Sequence, residues 1–446
     1  MGEIHEECLQ GPCKLRSNRI LCMFSERTNW KLTRNRFTEA VEAVRDTGIQ
    51  LLDLTASNPT RVGLKYDSGV ILAALHSERA LDYDPQAKGL LAARQAVALY
   101  YRQVLDHQKV ADAVATHIIS ERIVLTTGTS EGYSFVLRLL CNAGDELLVP
   151  KPSYPLFEFL ADLQDVKLVP YPLIYDHGWQ IDFPSLEKAL TQRTRGVVVV
   201  HPNNPTGSYV HEGEIALLNA FCREHRLALI VDEVFLDYGL ETSGSKAPTQ
   251  GEQNRTAKGA APPEFGVRRE PGTSFARNQE VLTFTLSGLS KISALPQMKV
   301  AWIVTSGPEE QVAEAMARLE MIADTYLSMN APMQWAAPVL LSQRNKIQAQ
   351  LMDRLHTNLT ELDRQLAGQS ACQRLCVEGG WYAVLRVPVT RSDEELAIAL
   401  VKEQAVVVHP GHFYDFPRDG YLVLSLITAA DVFKQGLSRA LELVNR

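Results

Sequence analysis

The sequence Gly-Val-Val-Val-Val-His-Pro-Asn-Asn-Pro-Thr-Gly occupies residues 196–207 and decides the fold class. Its first part, residues 196–200, is an apolar run rich in valine, which is typical of a strand buried on both faces. Its second part contains two prolines and a glycine, which fix a tight turn where the strand ends. Strands buried on both faces belong mostly to parallel sheets that helices cover. The stretch therefore predicts an α/β fold.

The same alternation continues on both sides of this stretch. Apolar runs predict further strands, and segments with helical spacing of apolar residues lie between them. The predicted strands cover residues 122–125, 146–149, 227–231, 281–286 and 300–305, and the predicted helices include residues 154–163, 212–225 and 309–321. Buried strands separated by helices indicate a mostly parallel sheet.

The two ends of the chain have a different pattern. Shorter strands are predicted at residues 381–387, 405–408 and 422–426, which suggests a smaller α+β domain. We expect an N-terminal arm over residues 1–30, an N-terminal part of the small domain over 31–75, a large domain over 76–330 and the rest of the small domain over 331–446. Residues 241–279 are rich in Gly, Pro, Ser, Thr and charge, and they predict a mobile insertion in the large domain.

The composition narrows the classes of partner. The chain has 446 residues, 46% of them hydrophobic, and a net charge of −7 without a long basic run, so neither nucleic acid nor an anionic membrane is an expected partner. No run approaches the roughly 18 apolar residues of a membrane helix, and the N-terminus lacks a secretory apolar segment.

The cysteines indicate a reducing compartment. Their number, seven, is odd, and they are scattered along the chain, which predicts reduced cysteines in a cytoplasmic protein. Cys8, Cys13 and Cys22 lie close in sequence, but no fourth ligand completes a familiar metal-binding spacing, so we predict no metal site.

Five short elements follow predicted strands, at the edge where open parallel sheets bind ligands. They contain Gly128 and Thr129 at a helix start, Tyr154 in a Pro-Ser-Tyr-Pro turn, Asn204 in the opening stretch, Asp232 at a strand end, and Ser290 with Lys291 in a Ser-Gly-Leu-Ser-Lys turn. Each element alone has an ordinary explanation: a capped helix, a packed turn, a buried salt bridge or a surface lysine.

Together the elements point to one chemistry. Backbone N–H groups at a helix start favour a phosphate, a tyrosine ring can stack on a flat ring, and asparagine presents directed donors. An aspartate that ends a buried strand requires a cation or strong donors. A desolvated lysine has a lowered pKa, which frees its amine for Schiff-base formation.

The order and spacing of these elements resemble the fold-type-I pyridoxal-phosphate-dependent aminotransferases, the class I and II family related to aspartate aminotransferase. The resemblance runs from about Leu51 to the C-terminus, with residues 241–279 as an insertion, and the chain is identified as a divergent member. It implies a large domain with a seven-stranded type of mostly parallel sheet and a smaller α+β domain. It also implies pyridoxal 5'-phosphate as cofactor and an amino donor and an oxo-acid acceptor as substrates.

The resemblance also implies roles for individual residues. Lys291 would carry the cofactor as a Schiff base and act as the catalytic acid and base, and Asp232 would keep the pyridine nitrogen protonated. Asn204 would hydrogen-bond the ring hydroxyl oxygen, and Tyr154 would stack on the ring.

The remaining implied roles concern the cofactor's phosphate. Gly128 and Thr129 would hold it through the backbone and a hydroxyl, with Ser290 and Lys299 as further candidates. Tyr83 matches the tyrosine that the family donates to the phosphate of a neighbouring subunit, which implies a homodimer with shared sites.

Four positions depart from the family pattern. Phe235 replaces a tyrosine that contacts the ring hydroxyl, and Tyr238 is wrongly spaced to substitute for it. Gly288 replaces a phosphate-binding Ser or Thr, for which Ser287 or Ser290 could substitute. Lys299 replaces an arginine and lacks its bidentate fork.

The fourth departure concerns the substrate. Val423 stands where the family has the arginine that clamps the substrate carboxylate, so a clamp at that position is absent. Arg61, Lys65 and Arg386 are candidate replacements.

Two other function classes stay open at this level. The same fold supports lyases, such as carbon–sulfur β-lyases, and fold alone does not fix the reaction. A non-catalytic regulator of this family would need a DNA-binding domain, and the roughly 50 residues before the resemblance carry no helix-turn-helix pattern.

Overall fold

The structure is a computed structural model that describes residues 23–30, 33–107, 118–240, 273–367 and 371–446. Most of the predicted arm, most of the predicted insertion, and Cys8, Cys13 and Cys22 lie outside these residues.

An eight-stranded sheet forms the centre of the described chain, in the order β2-β9-β8-β7-β6-β3-β4-β5. Its strands are β2 (Ile123–Thr126), β3 (Glu146–Lys151), β4 (Lys167–Tyr175), β5 (Trp179–Ile181), β6 (Thr194–Val200), β7 (Ala228–Asp232), β8 (Thr283–Gly288) and β9 (Ala301–Ser306). Six of these strands run in one direction, and β9 and the short edge strand β5 run in the opposite direction. The predicted mostly parallel sheet is confirmed, and β5 adds an eighth strand to the seven implied by the resemblance.

Helices cover both faces of this sheet. Along β6, Val198 and Val200 face a core shared with the helices Thr129–Leu140, Leu156–Asp162 and Glu309–Tyr326. Val197 and Val199 face the other side, where the helices Phe183–Ala189 and Glu212–His225 pack. The helices Leu91–His107 and Ala331–Ser342 enclose a third core against β2 and β9. The apolar run at residues 196–200 of β6 follows from this burial on both faces.

A four-stranded antiparallel sheet, in the order β10-β11-β14-β13, forms the smaller unit. Its strands are β10 (Gln373–Arg374), β11 (Tyr382–Arg386), β13 (His409–Pro410) and β14 (Tyr421–Ser425), and a separate parallel pair joins β1 (Leu52–Asp53) to β12 (Val406–Val407). The surrounding helices are Arg36–Asp46, Arg344–Leu366, Asp393–Gln404 and Ala430–Val444, whereas the helix Ser68–Ala74 packs with Ala331–Ser342 in the core against β2 and β9. The predicted smaller α+β unit is therefore confirmed as part of the fold class.

None of the helices in the described ranges is long and apolar enough to cross a membrane.

The turns that carry the five sequence elements meet at one edge of the large sheet. Strands β3, β6, β7 and β8 are parallel neighbours, so their carboxyl ends point the same way. β2 is antiparallel to β9, which is itself antiparallel to β8, so β2 ends at that edge too. The connectivity alone thus gathers residues that are far apart in the sequence.

The two sheets are joined beside this edge. Lys151 at the end of β3 forms an ion pair with Asp415, which precedes β14, at 3.0 Å between Nζ and Oδ2. The Ser153 amide donates to the Tyr414 carbonyl oxygen at 3.0 Å. The cleft between the sheets is therefore closed on one side by polar contacts.

Gly207 ends the turn that follows β6, and it has no room for a side chain. Its φ is +69°, and a Cβ there would lie 2.6 Å from the Gly379 carbonyl oxygen. Its own carbonyl oxygen accepts from the Glu378 and Gly379 amides, so the turn is tied to the chain that enters β11.

We expect Gly207→Ala to lower the free energy of unfolding by about 2–4 kcal/mol, because left-handed strain and backbone overlap add. Gly48→Ala is the matched control, since Gly48 has φ +80° and a Cβ added there would meet nothing within 4 Å, and it should lose only about 1 kcal/mol. Urea unfolding measures both. Equal losses in the two variants would show that the overlap at Gly207 is unimportant.

Candidate active site

Lys291 lies in the short helix Leu289–Ile292 that begins where β8 ends. Its backbone carbonyl oxygen accepts a hydrogen bond from the Tyr238 hydroxyl at 2.6 Å. Its Nζ lies 4.8 Å from the centroid of the Trp381 ring and 5.6 Å from that of Phe235. Burial among these rings lowers the pKa of the amine to about 8. The lysine can therefore carry or release a proton near neutral pH.

Asp232 ends β7, the strand beside β8. Its Oδ2 accepts from the Tyr133 hydroxyl at 3.2 Å, and its Oδ1 accepts from the Val234 amide at 3.1 Å. Burial raises the pKa of this carboxyl to about 6, while the two hydrogen bonds and the charge of Lys291 act in the opposite direction. A carboxylate in this position favours a cationic group beside it.

The neighbouring acid, Glu233, is used for structure. It is fully buried, and its carboxyl oxygens accept from the Ser274 hydroxyl at 2.7 Å and the Phe275 amide at 2.6 Å. Burial raises the pKa of Glu233 to about 8. Successive residues at a strand end point in opposite directions, which separates the two acids.

The two asparagines after β6 are also distinct. The Nδ2 of Asn203 donates to the Pro152 carbonyl oxygen at 3.1 Å and to the Thr206 hydroxyl at 2.9 Å, so Asn203 holds the turn together. Asn204 is 8% exposed, and its Oδ1 is buried without a hydrogen-bond partner among the described residues. A buried amide without a partner is costly, which makes Asn204 a candidate for contact with a ligand.

A candidate anion site, referred to below as the cradle, lies at the start of the helix Thr129–Leu140. Gly128 is its N-cap, and a Cβ at Gly128 would lie 3.1 Å from the Lys299 Nζ. The glycine thus leaves open the space between the helix start and this ammonium group. Helix N-termini and ammonium groups both attract anions.

The remaining predicted residues differ in their placement. Tyr154 is 37% exposed, and its ring meets that of Phe157 edge-on at 6.4 Å between the centroids. Ser290 precedes Lys291 in the same short helix. Tyr83 is 77% exposed and is not part of a buried core.

The departures from the family pattern have physical causes in this fold. A Cβ at Gly288 would lie 2.8 Å from the Val300 carbonyl oxygen, so a Ser or Thr does not fit there. Ser287 is fully buried, and its hydroxyl donates to the Glu233 carbonyl oxygen at 3.3 Å. The Ser287 hydroxyl is therefore used within the sheet. Ser290 is the remaining serine of this turn and the candidate for a phosphate contact.

Sequence reasoning missed two residues of the site. The Tyr133 hydroxyl reaches Asp232 from the first turn of the helix after β2, and Trp381 forms one wall around Lys291. Both contacts are long-range in sequence and carry no local motif. The only signal for Trp381 was its place at the start of a predicted strand.

Val423 is buried in the small sheet, where it is paired with Val384 on β11 and with His409 on β13. Of the candidate replacements for the missing arginine, Arg61 is exposed, and the backbone of Lys65 is paired with Gln350. Arg386 lies on β11, near Val423.

Comparisons with known proteins agree with this geometry. The sequence profile described as aminotransferase class I and II matches residues 50–432. A glutamate-pyruvate aminotransferase of Escherichia coli is 24% identical over 407 residues, which cover 89% of this chain and 91% of the relative. An alanine aminotransferase of Mycobacterium tuberculosis is 25% identical, with 84% and 81% of the two chains covered.

Solved structures show the same fold. An alanine aminotransferase from Pyrococcus furiosus superposes with a TM-score of 0.77 at 18% identity, over 92% of this chain and 96% of that one. A tyrosine aminotransferase from Leishmania infantum gives 0.76 at 20% identity, over 93% and 98%. With most of its length matched by the family profile, the chain belongs to the aminotransferase class I and II family.

Proposed function

We propose that this protein is a pyridoxal-phosphate-dependent aminotransferase that moves an amino group between an amino acid or related amine and a 2-oxo acid, with Lys291 as its covalent cofactor residue. The observation that carries the proposal is the half-buried pair of Lys291 and Asp232 at the ends of adjacent parallel strands. The relatives are named as aminotransferases of glutamate and pyruvate or of alanine, and these names support a reaction of this class.

The donor set fits pyridoxal phosphate. The buried amide oxygen of Asn204 has no partner among the residues that the structure describes, so the amide can bind the ring hydroxyl oxygen, whichever way it is turned. The cradle of Gly128, Thr129 and Lys299, with Ser290 nearby, would hold the phosphate. Tyr154 would stack on the ring, and Asp232 would hold the protonated ring nitrogen.

The bound cofactor supplies an electron sink for the carbon that bears the donor's amino group. Lys291 would move the proton at that carbon, because its lowered pKa allows the amine to accept and donate at neutral pH. Phe235 and Trp381 keep water from this amine. Tyr133 would hold Asp232 in its ionised form, and it is a positioning residue.

The assembly and the compartment belong to the same proposal. The exposed Tyr83, with Leu81 beside it at 88% exposure, would enter the neighbouring subunit of a homodimer and complete its phosphate site. The four described cysteines, Cys141, Cys222, Cys372 and Cys376, form no disulfide with one another, which fits a cytoplasmic enzyme. We also propose the domain division at residues 31–75, 76–330 and 331–446.

The first test is a visible spectrum of the purified protein with a panel of amino donors. A protein that is yellow, that bleaches with a donor and that recovers with an oxo acid performs transamination. Continuous release of ammonia and oxo acid without bleaching would instead establish a lyase. A colourless protein that cannot take up pyridoxal phosphate would refute the proposal.

Lys291→Ala should reduce turnover by at least about 10³-fold, since both the covalent bond and the proton carrier are lost. Borohydride reduction followed by mass spectrometry should label the wild type at residue 291 and leave the variant unlabelled. Lys402→Ala, which changes an exposed helical lysine, should behave as the wild type. Labelling of the variant at another lysine would reassign the cofactor residue.

Tyr133→Phe should shift the acid limb of the activity profile to higher pH. The hydroxyl stabilises ionised Asp232, so its removal raises the pKa of that carboxyl, and activity is lost sooner as the pH falls. The expected shift is less than about one pH unit. Tyr171→Phe also deletes a buried hydroxyl, which donates to the Val198 carbonyl oxygen, and should leave the profile in place. Identical profiles for wild type and Tyr133→Phe would contradict this role.

A further inference from the structure

The Lys291 amine lies over two aromatic rings that come from different parts of the fold. Trp381 directly precedes β11 of the small sheet, and Phe235 lies in the turn after β7 of the large sheet. The Lys291 Nζ is 4.8 Å from the centroid of the Trp381 ring and 5.6 Å from that of Phe235. An ammonium group within about 6 Å of a ring centroid is attracted to the ring face, and tryptophan attracts it most strongly.

The Trp381 ring is fixed by its neighbours. It meets the Phe235 ring edge-on at 5.3 Å and the Tyr238 ring edge-on at 5.2 Å between centroids, and the side chain is fully buried. The Trp381 carbonyl oxygen accepts from the Leu426 amide at 2.7 Å. The Tyr238 hydroxyl donates to the Lys291 carbonyl oxygen, so the ring and the lysine backbone share one anchor. The packing therefore fixes the ring beside the root of the lysine side chain.

The titratable groups that face this amine are one carboxyl group and several phenols. Asp232 has a pKa of about 6, so it is ionised above neutral pH. The phenols of the site all have a pKa that burial raises above the ordinary value, and they are Tyr133, Tyr154, Tyr238 and Tyr382. Between about pH 7 and 10, the amine is therefore the member of this set that titrates.

We propose that the faces of Trp381 and Phe235 bind the ammonium form of Lys291, and that both rings are positioning residues for its proton transfer. The catalytic part of this inference rests on the proposed function, whereas the contact itself involves only residues of this chain. The amine becomes an ammonium group when it takes the proton from the donor carbon. The ring faces would hold this charge without a hydrogen bond that must break before the proton is passed on.

The two rings act on the amine in two ways that have opposite signs. As apolar walls they exclude water, which favours the neutral amine. As ring faces they attract the ammonium form. Leucine in place of Trp381 preserves an apolar wall and removes the ring face, so this substitution separates the two effects. Phe235 keeps a ring where the family has a tyrosine, which agrees with a role for the ring face rather than for a hydroxyl.

Trp381→Leu should lower the pKa of the Lys291 amine by about 0.5–1 pH unit, because the ammonium form loses an attraction. Trp381→Phe keeps a smaller face and should give a smaller decrease, as should Phe235→Leu at its longer distance from the amine. The pKa is measured on the full-length protein freed of any cofactor, by trace acetylation at a series of pH values and mass spectrometry of the peptide that contains residue 291. The exposed Lys402 in the same sample is the internal standard.

Trp179→Leu is the matched control. Trp179, on β5, is also buried and meets two rings edge-on, those of Tyr175 at 5.1 Å and Phe416 at 6.1 Å. This variant should leave the pKa of Lys291 unchanged. An unchanged or higher pKa in Trp381→Leu would overturn the inference, since the rings would then be only apolar walls. If circular dichroism shows that Trp381→Leu is unfolded, the same outcomes are judged on Trp381→Phe.

The role in proton transfer is measured on the holoenzyme. Bleaching of the visible band by a saturating amino donor should slow by about 3–10-fold in Trp381→Leu, at an unchanged half-saturating concentration, because the loss concerns the proton carrier and not donor binding. Bleaching at the wild-type rate would contradict the positioning role. Failure of the wild type to take up pyridoxal phosphate would overturn the proposed function, and the pKa measurement would still test the ring contact.

Discussion

The structure depends on placing one carboxylate and one amine, Asp232 and Lys291, close together and half-buried at one edge of the large sheet. Each group alone would be driven towards its neutral form by burial. Together they oppose that tendency, because the charge of each favours the ionised form of the other. Adjacent parallel strands bring the two residues to the same edge, and the hydroxyl of Tyr133 and the amide of Val234 supply further stabilisation for the acid.

Much of the fold could be predicted because burial on both faces leaves a simple pattern. The valine run of β6 and the apolar runs of β7 and β8 identify the centre of the sheet. The edge strand β5 and its neighbour β4 were not predicted. Strand β4 is mostly half-buried or exposed, and it contains two prolines among apolar and polar residues. Edge strands tolerate such residues, so their sequences resemble loops. The helix Ala331–Ser342 was not predicted for a similar reason, because it contains an internal proline.

The candidate site also contains some residues that the sequence predicts and others that it does not. Residues in compact turns, such as Lys291, could be predicted because their neighbours in sequence fix the turn. Their surroundings could not, because Tyr133 and Trp381 reach the site through long-range packing. Local sequence also could not separate Asn203 from Asn204, or show that Ser287 is occupied within the sheet. Those distinctions depend on which direction each side chain takes.

The hydrogen bond from Tyr238 to the Lys291 carbonyl oxygen has a consequence for the timing of catalysis. It fixes the backbone of the lysine, so the amine can change its place only by rotation about side-chain bonds. Such rotations take picoseconds to nanoseconds, whereas a typical enzyme turns over about ten times per second. Lysine reorientation would therefore be in rapid equilibrium, and the slow event of each cycle would be bond breaking or the exchange of substrate and product.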